Sequence, residues 1–362
     1  MNIKTPVCHT LGIQFPIFQA GMAGGPATPA LAAEVSEAGG LGSLGGAYMK
    51  PEEIRSAVRE IKQRTSKPFA VNLFCADLKD NLYNSERVNK VLNSFRKQLG
   101  IPEIHNRSKL IDLFEEQFQV LLEEEVPIIS TAFGILPLEK MKAVHEKGKK
   151  VIVMVTTVNE AKRAEQRGVD IIVAQGSDAG GHRSTFDMDH HPDGANIGTF
   201  SLVPQITDKV NIPVVAAGGI MDGRGLAAAL SLGAQGVQMG TAFLCCTESG
   251  AHPAYQKAIL NSTEESTVIT KSFSGRPARG IKNAFIEEFE RQGTVPLPFP
   301  AQNTLTADIR REAARQHNDQ YMSLWAGQAT RLIKNGKGAR DIILETVDEA
   351  EKVLRNLLKL RD

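Results

Sequence analysis

The sequence is short of cysteine, of long apolar runs and of any charge imbalance, and each shortage removes a class of protein. Four cysteines, Cys8, Cys75, Cys245 and Cys246, stand in 362 residues. That is too few for a disulfide framework, and none forms a C-x-x-C pair. No stretch approaches the roughly 20 apolar residues that cross a bilayer, so no membrane partner is expected. The 42 Lys and Arg against 41 Asp and Glu leave a net charge of +1. A nucleic-acid surface usually carries a clear basic excess, so no nucleic-acid partner is expected either. Residues 1–16 lack the basic-then-apolar pattern of a secretory signal. The expectation is a soluble, cytoplasmic protein with reduced thiols.

What is present is ordinary globular composition and a regular alternation of elements. Hydrophobic residues make up 42%, with 32 glycines besides, enough for one large barrel or two medium domains. Short apolar, β-branched runs occupy residues 16–22 (PIFQAGM), 41–46 (LGSLGG), 69–74 (FAVNLF) and 126–134 (VPIISTAFG). They continue at 151–156 (VIVMVT), 170–176 (DIIVAQG), 213–219 (PVVAAGG) and 236–243 (GVQMGTAF). Several are apolar through most of their length, as parallel strands buried on both faces are. Amphipathic stretches lie between them, at 51–64, 137–147, 158–167 and 222–233. Eight strand–helix units predict an α/β fold, a (β/α)8 TIM barrel.

The intervals between strands locate two insertions, one after Phe74 and one after Gly176, each longer than the roughly 25–30 residues that a barrel unit needs. The first holds a polar stretch, 76–84, and helical patterns at 85–99 and 108–125. The second is SDAGGHRSTFDMDHHPDGANIG, residues 177–198. Insertions after barrel strands sit on the face where barrel enzymes work. After Phe243 the alternation stops. A helix is expected at 251–261, a β-rich stretch at 267–273, a Pro-rich turn at 296–300 and a helical segment around 309–332. The expected division is a barrel over 1–246, an elaboration over its mouth at 247–336, and a last helix, 337–362, closing the outer ring.

Four glycine-bearing stretches fall at the C-terminal ends of predicted strands: Gln19-Ala20-Gly21-Met22, Gly45-Gly46, Gly218-Gly219 and Met239-Gly240-Thr241. The last two belong to the neighbouring seventh and eighth barrel strands, where barrels commonly bind a phosphate. Glycine lets backbone N–H groups approach such an anion with no Cβ in the way; tight strand-to-loop turns are the plainer reading. Asn72 and Gln175 end the third and sixth strands and offer a donor and an acceptor each, suited to a heterocycle edge or to tying down a loop.

His182, after Gly180 and Gly181, can project into the barrel mouth and act as acid or base near neutral pH, or it can be a surface imidazole on a flexible loop. Asp178 either orients that ring or caps the loop. Asp187, Asp189, His190, His191 and Asp193 read as a polar loop, because they lack the spacing of a zinc motif. No metal is expected. Cys245 and Cys246 read as small hydrophobes. Arg276, Arg279 and Lys282 form either an anion grip or a solvated basic turn.

Six stretches together resemble the flavin-dependent nitronate monooxygenases. They are PIFQAGMAGGPATPALAAEVSEAGGLGSLGGAY, PFAVNLF, VAQGSDAGGHRSTF, PVVAAGGIMDGRGLAAALSLGAQGVQMGTAF, SFSGRPARGIKNAF and LWAGQATRL, in order over nearly the whole chain. The resemblance implies an FMN-bearing barrel that oxidises alkyl nitronates with O2 to a carbonyl compound and nitrite. It carries the catalytic histidine onto His182. It puts Asn72, Gln175, Gly180, Gly219, Gln238, Met239, Gly240 and Thr241 at the flavin, beside the Gly218 of the glycine turn. Asp178 stands where many members of that family have Glu. Flavin-type enoyl-acyl-carrier-protein reductases share the glycine–histidine stretch, so an NAD(P)H-dependent flavin reductase acting on enoyl thioesters or quinones is the alternative. The partners implied are a small nitronate and O2, with a homo-oligomer left open.

Overall fold

A computed structural model describes residues 3–76, 85–104 and 112–361. Eight parallel strands form the centre: β1 Ile17–Gln19, β2 Gly42–Gly45, β3 Phe69–Phe74, β4 Ile128–Ala132, β5 Lys150–Val155 and β6 Ile171–Gln175, followed, after the short β7 Gly181–His182, by β8 Val214–Ala217 and β9 Gly236–Met239. Their order is β1-β9-β8-β6-β5-β4-β3-β2, and a parallel bridge from Phe18 to Leu41 joins β1 back to β2. The sheet is a (β/α)8 TIM barrel.

The period-2 alternation of each strand sorts its side chains between two environments. Phe18, Leu41, Ala70, Ile128, Ile152, Ile171, Val173, Val215 and Ala217 fill the barrel interior. Their neighbours Ile17, Val71, Leu73, Ile129, Ile172, Ala174, Val214, Ala216, Val237 and Met239 point outward, against the helices. The interior is also filled by Val7, Cys8 and Leu11 of a short helix, α1 Pro6–Leu11, together with Ile13. This plug was not foreseen: six residues carry too little periodicity to announce a helix.

The outer layer contains α2 Pro29–Glu37, α3 Pro51–Arg64, then α4 Ser85–Gln98 and α5 Phe114–Glu123 in the first insertion, α6 Leu138–Glu146, α7 Val158–Gln166, α8 Thr199–Thr207 and α9 Gly223–Ser231. The expected polar stretch 76–84 and the start of the 108–125 pattern lie mostly outside the described residues. Then come α10 Pro253–Leu260, strands β10 Thr267–Thr270 and β11 Ala278–Ile281, and α11 Ala284–Arg291, α12 Ala301–Leu305, α13 Ala307–Arg315 and α14 Ala339–Leu358. The last helix packs between α9 and α2. It comes so near α9 that a Cβ at Gly223 would lie 2.2 Å from the Ala350 nitrogen.

A second apolar cluster joins the insertion to the C-terminal part: Val88, Leu92 and Phe95 of α4 pack with Tyr255, Ile259, Phe285, Phe289, Ile309 and Ala313. The fully buried Arg96 of α4 bonds Asp308 of α13 at 2.8 Å. The helical segment expected around 309–332 is corrected. It breaks after Arg315, where His317 takes a left-handed φ of 52° and Asn318 caps a separate 3-10 turn, Asp319–Tyr321. The polar run Gln316-His317-Asn318-Asp319 supplies that stop, since Asn and Asp side chains compete for local backbone N–H groups.

Candidate active site

A cavity of about 490 Å³ opens at the C-terminal end of the barrel, the face on which barrel enzymes work. Its floor is Ile152, Met154 and Val173; its walls come from the strand-end loops and from Asn303, Arg310, Met322 and Trp325 of the C-terminal segment. Of the residues singled out in the sequence, Asn72, Gln175, Gly180, His182, Gly218, Gly219, Gln238, Gly240 and Thr241 all line it. Met239 does not. It is fully buried and faces the helical layer, because it alternates with the cavity-facing Gln238.

His182 sits on β7, which pairs antiparallel with β11, itself paired with β10. Ala278 stands opposite His182 and Arg279 opposite Gly181. The ring is therefore carried by a small sheet and not by a flexible loop. Its Nε2 lies 2.9 Å from Ser274 Oγ. Four aromatic rings surround it, Trp325 at 5.4 Å, Phe133 at 5.8 Å, Phe299 at 5.9 Å and Phe74 at 6.4 Å between centroids. Burial among them, with the charges of Arg276 and Arg310, pushes the imidazole pKa down to about 3. At neutral pH the ring is uncharged.

The loop that carries His182 is held from behind. Gln175 Nε2 donates to the His182 carbonyl at 2.9 Å, and Gln175 Oε1 accepts from the Ser184 N–H at 2.9 Å. The buried Arg183 donates to the carbonyls of Gly176, Gln175 and Ala195. Gln175 is thus a loop tie as well as a wall of the cavity. Asp178 caps: its carboxylate accepts from Thr199 N at 2.8 Å and from Thr199 Oγ1 at 2.6 Å, at the start of α8. Burial opposes its ionisation, but those bonds, its own backbone N–H and the charge of Arg279 outweigh burial and hold the carboxyl below its ordinary range.

The glycine turns after β8 and β9 form one concave edge. Gly218 and Gly219 have φ of 115° and 72°, which side-chain-bearing residues rarely adopt. A Cβ at Gly180 would stand 2.5 Å from backbone atoms of Ala326 and Gly327. Among the described residues no protein group accepts the N–H of Gly219 or Gly240, and both line the cavity. Asn72 Nδ2 donates to Ser130 Oγ at 2.9 Å, while its Oδ1 and the carboxamide of Gln238 have no partner among the described residues.

Arg276 and Arg279 are no solvated turn; they are 6% and 8% exposed and donate to the backbone carbonyls of Arg183, Thr185 and Ser177. Lys282 alone of the three faces solvent, paired with Glu287 at 3.1 Å. No group of three or more His, Cys, Asp or Glu fit to hold a metal occurs among the described residues, and Asp187 instead bonds His190 at 2.7 Å. Burial pushes the thiols of Cys245 and Cys246 up to about 11 and 12, which makes them unreactive packing groups. Sequence reading missed Ser274, Arg310 and the four rings. Ser274 and Trp325 lie in the quoted stretches SFSGRPARG and LWAGQATRL; Phe299 carried no signal.

Comparison with known proteins agrees with this geometry. The family model described as nitronate monooxygenase matches residues 4–349. A probable nitronate monooxygenase of Staphylococcus saprophyticus is 42% identical over 357 residues, covering 98% of this chain and 99% of that one. The structure of a nitroalkane oxidase from Streptomyces ansochromogenes superposes with a TM-score of 0.89 at 35% identity, over 96% of this chain and 99% of that one. FabK from Thermotoga maritima is similar at TM-score 0.77 and 32% identity, over 99% of both chains.

Proposed function

The chain belongs to the nitronate monooxygenase family, and from that premise we propose that it oxidises alkyl nitronates with FMN and O2 to a carbonyl compound and nitrite. The observation that carries this reading is a neutral imidazole, anchored by Ser274, inside an aromatic-walled cavity whose far edge is a glycine cradle. The cradle suits a phosphate. The open N–H groups of Gly219 and Gly240 point to an anion, and Gly180, Gly218 and Thr241 complete the edge. Asn72 Oδ1 and Gln238 offer polar atoms to a heterocycle, with Gln175 behind them; Met239 contributes backbone alone. Bound there, FMN would supply the redox chemistry, taking electrons from the nitronate and returning them to O2.

The chain's own residues prepare the substrate. Ser274 Oγ is 3.1 Å from the Arg276 carbonyl, to which its hydroxyl donates. The oxygen then accepts from His182 Nε2–H, leaving the Nδ1 lone pair as the ring's free site. That arrangement favours a base over a hydrogen-bond donor. Nδ1 takes the α-proton of a neutral nitroalkane; a nitronate arrives without that proton and needs no base. Phe74, Phe133, Phe299 and Trp325 exclude water around the ring, and Arg276 and Arg310 make its surroundings hospitable to an anion.

The test is nitrite release from a nitronate and O2 with no nicotinamide present. Nitrite in proportion to nitronate consumed supports the reading. NADH-dependent turnover of an enoyl thioester or quinone, with no nitrite from any nitronate, would move the protein to the reductase alternative, with which its likeness to FabK is compatible.

A further inference from the structure

Among the described residues, Arg276 is a buried cation with no carboxylate beside it. The residue is 6% exposed. Its Nε donates to the Arg183 carbonyl at 3.2 Å and Nη2 to that of Thr185, both neutral acceptors. Its guanidinium carbon stands 3.8 Å over the Phe133 ring. The acid that acts on it most strongly, Glu160, is committed elsewhere: its carboxylate accepts from Thr156 N and Oγ1, Thr157 N and Phe186 N. Among the described residues no carboxylate lies in ion-pair contact with Arg276. Burying a charge without a counter-charge is costly, and a fold keeps such an arrangement where the field is used.

The surroundings show where the field falls. Phe133 lines the cavity, holds a strained left-handed φ of 73°, and presents its ring to His182 at 5.8 Å. The Arg276 backbone also bonds Ser274 Oγ, the partner of His182, through both its carbonyl and its N–H. We propose that Arg276 is a positioning residue, which through Phe133 and Ser274 fixes a positive potential on the His182 side of the cavity, keeps that imidazole an uncharged base and offsets negative charge at the substrate α-carbon. The part concerning substrate rests on the nitronate reading; the part concerning His182 does not.

Among the described residues, the charged groups acting on the ring are Arg276, from the turn between β10 and β11, and Arg310 of α13. Tyr48, after β2, lines the same cavity; it is 42% exposed and its phenol, held above its ordinary range, is neutral. Ser274 is uncharged. Removing Arg276 therefore removes one of the two like charges that act on the ring among the described residues.

The experiment is a titration of the His182 imidazole by 15N-histidine NMR on the protein as purified, the signal identified by its loss in His182→Asn. Arg276→Gln keeps a donor for the Arg183 or Thr185 carbonyl, and Arg276→Met is the second neutral variant should the first not fold. In either, His182 is expected to titrate about one unit or more above wild type, the usual scale for a nearby charge. Arg276→Lys, which keeps the charge, should stay close to wild type. Neutral variants that titrate with wild type, or a Lys variant that titrates with the neutral ones, would overturn the proposal whatever the nitrite assay gives. A wild-type His182 titrating near 6.5 would overturn it too.

Discussion

His182 Nε2 and Ser274 Oγ are 2.9 Å apart, and the same serine oxygen also meets the backbone of Arg276. Its hydroxyl proton goes to the Arg276 carbonyl, and its oxygen receives the Arg276 N–H at 3.3 Å. With the hydroxyl turned to that carbonyl, as the proposed role of His182 requires, the ring bond runs from Nε2–H to Oγ and leaves Nδ1 unprotonated. A hydrogen bond that fixes a histidine tautomer is a general device for aiming an imidazole.

Ser274→Ala removes that anchor without touching the cavity floor. Its kcat/KM on neutral nitroalkanes should fall, by less than the about 10²–10⁴-fold that loss of a general base costs, while flavin content holds. Steady-state kinetics on a neutral nitroalkane, beside an absorbance spectrum, check both. Unchanged kinetics would mean that the cavity alone orients the ring.

Stability should depend on pH through the same residue. The folded-state pKa of His182, about 3, lies below the unfolded value of about 6.5. As pH falls below 6.5 the unfolded chain binds a proton that the folded protein refuses, so stability declines from there toward pH 3. Carboxyls held low, such as Asp178, cost stability only at more acid pH. Between pH 7 and 5 the Tm of wild type should therefore drop further than that of His182→Asn. Parallel Tm profiles would contradict a neutral ring.

Gly240 offers the cleanest test of the glycine cradle. A side chain at Gly218 or Gly219 is strained by backbone alone, so loss of flavin there would be ambiguous. Gly240 has a φ of −110°, and a Cβ there would meet Ala20 Cβ at 3.5 Å and Met22 Sδ at 3.8 Å, ordinary contacts. Gly240→Ala should fold and keep most flavin. Gly240→Asp should fold and lose it, because a carboxylate would face the phosphate. Full flavin content in the Asp variant, read from the absorbance of the purified protein, would remove that turn from the cofactor site.

Asp178 should matter to the loop and not to the base. Asp178→Ala leaves the Thr199 N–H without its acceptor and Oγ1–H with the Gly218 carbonyl at 3.1 Å, a loss of about 1 kcal/mol on the scale of helix caps. Thermal unfolding should register it. The His182 titration should stay where it is, since the ring is bonded to Ser274. A large shift of that titration would show the two residues to be coupled after all.

The barrel was legible because its strands are buried on both faces and lie at repeating intervals, and the mouth-facing residues were legible because they end those strands. Asn72 and Gln175 stand near the ends of otherwise apolar runs; Gln238 came from the family resemblance. The resemblance put Met239 beside them; its side chain faces the helical layer because Gln238 takes the inward direction. What stayed hidden depends on contacts distant in sequence. Ser274 lies 92 positions from His182, and β7 is two residues long, below any periodic signal. The aromatic box draws its rings from separate loops, and the burial of Arg276 depends on Phe133, Arg183 and Thr185 converging on it. Only the fold brings them together.

The central claim is that an uncharged His182 takes the α-proton of the substrate, and His182→Asn tests it most directly. Two rates are compared in one preparation that keeps its flavin: kcat/KM for a neutral nitroalkane and for the nitronate made from it. Expected is a loss of about 10²–10⁴-fold on the neutral form with a clearly smaller loss on the nitronate, so that the ratio of the two moves toward the nitronate. Equal losses on both, or wild-type rates on both, would contradict the assignment of His182 as the base.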